Sequence, residues 1–229
     1  IRKAVAYSIN TEQMLNTVLE GIGTPAKGRP LSPVMMYSKP ELDLYEYDVE
    51  KAREILSEDG WQDSDNDGIL DKNGQTLKAK FIVGKDVWAS RHVPMAEAIQ
   101  GVLQNVGMDV DIQVLESGAI TKLENEGQFD MILRSGYFVW GPYPRHFFIH
   151  QSFCPYSHYN NTEYDKLANA ADSTADPEKQ QQLYYDLQDM VLDELPAFYL
   201  VHEEKIIVAN KYVKEYRITA EDPRLNLHG

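Results

Sequence analysis

An α/β fold, a mixed sheet flanked by helices, is the expectation for this chain, and it rests on three stretches. Residues 76–83 and 108–115 alternate apolar and polar side chains as half-buried strands do, and 129–137 is an apolar run of β character. Helical periodicity fills both intervals between them. The order β-α-β-α-β predicts that the three strands share one sheet with helices packed on it.

The remaining elements follow in chain order. Residues 2–9 read as a helix, and Asn10 can cap a second that places Met14, Leu15, Val18 and Leu19 on one face. Residues 24–47 carry four prolines and little periodicity, which predicts a long irregular segment on the surface. Asp48 opens a short helix over 49–57, with Ala52, Ile55 and Leu56 inward and Gly60 as its stop. Between the predicted strands, 89–106 is a helix with Met95, Ile99, Val102 and Leu103 on one side, and 120–126 is a shorter one. Two helices, 162–172 and 177–194, come later; Asp176 caps the second and Pro177 takes its first position. Residues 197–201 and 205–209 are expected to be short strands around a His202-Glu203-Glu204 turn, before an extended tail.

At 229 residues, 43% apolar and 25% charged, the chain is long enough for a good hydrophobic core. Its 36 acidic residues outnumber 22 basic ones for a formal charge of -14, which argues against nucleic acid and anionic membranes as partners. No apolar stretch approaches the roughly 20 residues that cross a bilayer. The single Cys154 forms no internal disulfide. Ile1 falls inside an amphipathic helical pattern with no methionine, signal peptide or cap before it, so a fragment of a longer chain is expected.

Residues 129–161 concentrate the unusual chemistry. After the apolar run, Gly136, Gly141, Pro142 and Pro144 break regular structure, yet Phe138, Trp140, Tyr143, Phe147, Phe148, Phe153 and Tyr156 follow. A solvated loop would expose them, so a ligand, a second domain or the core must cover them. Trp140, Tyr143 and Arg145 can together hold a ligand with a carboxylate or planar group, aromatic faces giving area and guanidinium a two-pronged donor. Packing within the core is the simpler role for Trp140 and Tyr143, and a plain surface position for Arg145. His146, His150, Cys154 and His158 recur at every fourth position, a spacing that on a helix can share a metal, but Pro155 interrupts it. Ordinary packing accounts for most of these four, and His158 is retained as the candidate ligand of a metal chelate.

A second candidate lies at 63–71. Asp63, Asp65, Asp67 and Asp71 stand at the first, third, fifth and ninth places of a calcium loop, with Gly68 at its sharp turn and the Ile69 carbonyl as a further oxygen. The twelfth place holds Gly74 instead of glutamate, so binding is expected to be weak, and a solvated acidic turn is the plain alternative. No cofactor is otherwise required. The chain has no phosphate-binding loop, dinucleotide fingerprint or zinc-protease motif, and nothing orients Cys154 as a nucleophile, so catalysis is not expected.

Several short motifs in order, Ile1-Arg2-Lys3-Ala4-Val5-Ala6-Tyr7-Ser8-Ile9-Asn10, Asp48-Val49-Glu50-Lys51-Ala52, Asp59-Gly60-Trp61, Phe129-Asp130, Tyr159-Asn160-Asn161-Thr162-Glu163-Tyr164-Asp165-Lys166-Leu167 and Asp176-Pro177-Glu178, resemble the extracytoplasmic solute-binding proteins that deliver oligopeptides, dipeptides or nickel to ABC importers. The resemblance implies one lobe of a two-lobed, class II periplasmic-binding-protein fold. Residues 1–195 would be the second lobe, and 196–229 strands and a tail returning toward a first lobe absent from this sequence. It also implies a protein outside the cytoplasmic membrane, at the cell surface or in the periplasm, working with permease subunits. Trp140-Gly141-Pro142-Tyr143-Pro144-Arg145 lacks the carboxylate common at this place in the family and looks instead like the nickel branch, one residue shorter, with His158 further on. Small peptides are the expected ligands, nickel or another metal chelate the alternative, and a signalling or chaperone-like peptide receptor a third reading.

Overall fold

The computed structural model describes residues 1–85, 89–134, 159–204, 210 and 212. Its centre is a three-stranded sheet of β4 (Lys78–Gly84), β5 (Asp109–Leu115) and β6 (Met131–Leu133), in the order β5-β4-β6. Both pairings are parallel, with Phe81 opposite Ile112 on one side and Met131 on the other. The three expected strands therefore share one sheet, and over the described residues that sheet is purely parallel. Antiparallel pairs stand apart from it: β1 (Thr24–Pro25) with β7 (Val201–His202), and β2 (Asp71–Lys72) with β3 (Gln75–Thr76). Thr76 thus belongs to the small β2–β3 hairpin, and the central strand begins at Lys78.

Parallel neighbours need crossovers, and helices supply them. Helix α4 (Ala89–Gln104) joins β4 to β5, and α5 (Ser117–Glu126) carries the chain from β5 across to the far side of β4. Burial on both faces shows in β4, where Ala79, Phe81, Ile82 and Val83 are all buried. Met95, Ala96, Ile99 and Leu103 of α4 close over one face together with α1 (Arg2–Ser8), α2 (Thr11–Val18) and α3 (Val49–Glu58). Ala4, Met14, Leu15, Ala52 and Leu56 are their contributions to that core.

A second cluster forms where α6 (Thr162–Ser173) lies on α7 (Pro177–Glu194), through Tyr164, Ala168, Ala171, Tyr184, Leu187 and Val191. Side-chain caps set the starts of these helices: Asn10, Asp48, Asn161 and Asp176 each accept backbone amides of the first turn.

Residues 24–47 are irregular, as their prolines demand, but they are not confined to the surface. Ala26 and Leu31 are fully buried and Tyr45 nearly so, its hydroxyl donating to the Leu192 carbonyl at 2.7 Å. Buried Gln188 ties the segment down, accepting from Lys39 N at 3.0 Å and donating to the Tyr37 carbonyl at 2.9 Å. Polar side chains of α7 thus satisfy backbone groups that prolines exclude from regular pairing. Residues 197–200 form no strand; Leu200 and Tyr199 still accept from Ala26 N and Gly28 N, each at 2.9 Å, extending the β1–β7 pair. His202 lies within β7, not in a turn, and residues 205–209 and the tail from 213 fall outside the described residues.

Candidate functional site

The sheet topology singles out one edge. From β4 the chain moves to β5 on one side, and from β5 it returns to β6 on the other, so the carboxyl ends of β4 and β6 lie side by side where the strand order reverses. In open parallel sheets such a reversal leaves a crevice between diverging connections, and ligands bind there. Val83 stands opposite Leu133, and the chain continues from these ends into Lys85 and Arg134.

Arg134 is held from beneath. Its Nε donates to Oε1 of Glu124 at 2.8 Å, and its Nη2 makes a second, shorter contact with the same oxygen. Glu124 sits on the inward face of α5, one turn after Ile120, with its side chain wholly buried, while the Arg134 side chain is 34% exposed. Lys85 at the end of β4 lies 3.6 Å from Glu116. The carboxyl ends of β4 and β6 are therefore followed by two cationic side chains, each paired with a glutamate. This charge arrangement was not legible in sequence, where Glu124 reads as one more polar residue of a short helix.

Residues 135–158 continue from this edge. Trp140, Tyr143, Arg145 and His158, with His146, His150 and Cys154, lie outside the described residues. At the far end the chain is anchored again: Tyr159 donates to Glu194 Oε2 at 2.6 Å, and Asn161 Nδ2 to Glu194 Oε1 at 2.7 Å, while Asn161 Oδ1 caps α6. Burial and the Glu194 carboxylate push the Tyr159 hydroxyl well above the ordinary phenol range, so it acts as a donor at every physiological pH.

The acidic loop forms a separate candidate. Asp63, Asp65 and Asp67 bring one carboxylate oxygen each within 4.8 Å of one another, all exposed. Backbone amides wrap this group: Asp67 N and Gly68 N donate to Asp63 at 3.1 Å, and Ile69 N to Asp67 at 2.7 Å, with Gly68 at φ 90° making the turn. Asp71 is turned aside. Its Oδ2 accepts from the Ser64 hydroxyl at 2.6 Å and the Ser64 amide at 3.0 Å, bonds that hold its carboxyl below the usual range. The Ile69 side of the loop contributes its amide to Asp67.

Comparisons with known proteins agree with this architecture. Residues 1–159 match the model of the bacterial extracellular solute-binding proteins, family 5 Middle. The oligopeptide-binding protein AppA of Bacillus subtilis is 25% identical over 224 residues, covering 95% of this chain and 41% of AppA. The nickel-binding periplasmic protein of Escherichia coli is 28% identical over 217 residues, covering 87% of this chain and 39% of that protein. The crystal structure of NikA from Brucella suis in complex with Fe(III)-EDTA superposes with a TM-score of 0.76 at 26% identity, over 88% of this chain and 41% of NikA. The chain thus spans about two fifths of the length of these relatives. With residues 1–159 inside the family model, the chain belongs to the bacterial extracellular solute-binding proteins of family 5.

Proposed function

We propose that this chain is the second lobe of the substrate-binding component of an ABC importer, which captures small peptides outside the cytoplasmic membrane and hands them to permease subunits. The observation that carries this reading is the strand-order reversal at the carboxyl ends of β4 and β6, feeding directly into the aromatic stretch 135–158. Family membership and the oligopeptide-binding relative support the ligand class and the location. Among the described residues no helix is long and apolar enough to cross a membrane. Residues 1–195 form the lobe in this reading, and 196–229 return toward a first lobe. Binding and release need no covalent chemistry, so the protein is not an enzyme.

A metal chelate is the second ligand reading, favoured by the Trp140-Gly141-Pro142-Tyr143 run and by the nickel-binding relative. In it Trp140, Tyr143 and Arg145 hold the chelator and His158 supplies one ligand to the metal. Calorimetry with a mixed peptide pool and with nickel–histidine separates the two. Peptide heat that survives His158→Ala supports the first reading; nickel–histidine heat that vanishes in that variant supports the second. Absence of heat with both sinks the transport assignment.

Calcium at residues 63–71 is a further part of this reading. Three carboxylates within 4.8 Å repel one another unless a cation sits among them, and Asp63, Asp65 and Asp67 supply hard oxygen donors. Asp71, engaged by Ser64, would reach the ion only through water, and the Ile69 carbonyl adds a neutral oxygen. The ion would brace the loop ahead of β2 rather than take part in solute binding.

A further inference from the structure

We propose that Asn73 is a site of spontaneous covalent modification, at which the backbone nitrogen of Gly74 attacks the side chain and the cyclic imide so formed hydrolyses to aspartate and isoaspartate. Its setting is the turn between β2 and β3, where Lys72 pairs with Gln75 and the two residues Asn73 and Gly74 make the connection. A connection this short follows the twist of its strands only with positive φ at both residues, and they take φ 55° and 76°. Asparagine and glycine are the residues that tolerate this conformation. The pair that suits the turn also suits ring closure, because a following residue without a side chain leaves the attacking nitrogen unhindered. Asn73-Gly74 is the one Asn-Gly pair in the chain.

Both reacting groups are free. Asn73 is exposed, and neither its carboxamide nor the Gly74 amide has a hydrogen-bond partner among the described residues. Beyond the chain neighbours, no atom stands within 4 Å of the place a Gly74 Cβ would take, so nothing packs over the turn. In the reaction, water or hydroxide takes the Gly74 amide proton, the nitrogen bonds to Asn73 Cγ, and the Cγ–Nδ2 bond breaks to release ammonia. Water then opens the imide, at Cγ to give aspartate or at the main-chain carbonyl to give isoaspartate. Closure requires Asn73 to rotate out of its left-handed conformation, so the hairpin must open first. With two residues in each strand, an exposed β3 and no pairing to the central sheet, that opening costs little. Other asparagines lack this combination: Asn16 and Asn169 lie within helices, whose hydrogen bonds engage the next backbone nitrogen, and Asn10 and Asn161 use their side chains as caps. Either product adds a negative charge close to Asp71, and isoaspartate also lengthens the turn by a backbone carbon, which disrupts the pairing of Lys72 with Gln75.

The test is mass spectrometry on the folded chain held at mildly alkaline pH, then digested with trypsin. Cleavage after Lys72 and Lys78 releases residues 73–78, and a growing fraction of this peptide should gain about 1 Da, resolved by chromatography into two products of equal mass. Peptides holding Asn16 and Asn169 should keep their mass over the same period. Asn73→Gln, whose imide ring would be one atom larger, should stop the change at this place. A chain that gains mass at Asn73 only when unfolded in urea would show that the turn protects the residue, and this overturns the assignment. So does a gain spread evenly over the other asparagines, or one that persists in residues 73–78 of Asn73→Gln.

Discussion

His202 shows how a single side chain couples the fold to pH. Its Nε2 is buried and has no hydrogen-bond partner among the described residues, and burial pushes its pKa below the ordinary histidine value of 6.5. The neutral form is therefore the one the fold accepts, since a proton on Nε2 would be a buried charge facing no acceptor. With the folded pKa depressed, the stability this residue contributes is present above about pH 6.5 and is lost as pH falls through the folded value. Denaturant midpoints should accordingly drop between about pH 7.5 and pH 5.5, and His202→Gln should flatten that part of the slope. An unchanged slope in the variant would place the pH dependence elsewhere. Asn161 makes the opposite kind of contribution, with both polar side-chain atoms in use: Oδ1 caps α6 and Nδ2 serves Glu194 and Tyr159. Asn161→Ala should cost about 2–3 kcal/mol, a cap plus a charge-assisted bond, against about 1 kcal/mol for the simple cap removed in Asp176→Ala. Urea titration of both variants checks the ranking.

At the scale of elements, Gly107 and the acidic loop meet at one joint. Gly107 turns the chain from α4 into β5 at φ 85°, and its carbonyl accepts from Leu70 N at 2.8 Å. A Cβ there would stand 2.6 Å from Leu70 Cγ, so Gly107→Ala meets left-handed strain and a clash together. We expect a loss of about 2–3 kcal/mol, read from chemical denaturation. Calcium at Asp63, Asp65 and Asp67 should act on the same joint from the other side. The melting temperature should rise with about millimolar calcium and Asp65→Ala should lose the response; identical melting of both proteins would leave the loop a solvated turn.

Elements of this kind are where sequence reasoning did well, because their causes are local. Asp176-Pro177 marks the start of α7 to the residue, and Asn10 and Asp48 cap α2 and α3 as their side-chain chemistry predicts. Residues 24–47 resisted because their order comes from partners far along the chain. Gln188, read as one polar position of α7, is buried and holds Tyr37 and Lys39, about 150 residues earlier. The Glu124–Arg134 pair was hidden for a different reason: the two are only ten residues apart, but the turn from α5 into β6 that brings them together leaves no mark in either residue's own neighbourhood. Trp140, Tyr143, Arg145 and His158 remain sequence assignments, connected to the structure through the strand end that precedes them.

For the whole molecule, in the proposed reading as one lobe of a solute-binding protein, the decisive quantity is how much of a ligand one lobe can cover. Solute sites exclude water by burying most of the ligand surface, whereas a crevice at the edge of a single sheet leaves one side open. The chain spans about two fifths of its relatives' length, which leaves room for a second wall. A lobe expressed alone should therefore be folded, since its cores around β4 and α7 are closed by its own helices, yet bind penta-alanine only weakly. Joining it to a first lobe should raise affinity by orders of magnitude, as closure desolvates the polar ends that a single wall leaves wet. The same closure should shift the emission of Trp140, and Trp140→Phe should remove the shift while leaving circular dichroism of the lobe unchanged. Tight binding by the isolated lobe would show that the site is complete within it. A two-lobed protein that binds equally well after Trp140→Phe and His158→Ala together would place the ligand away from the 135–158 stretch.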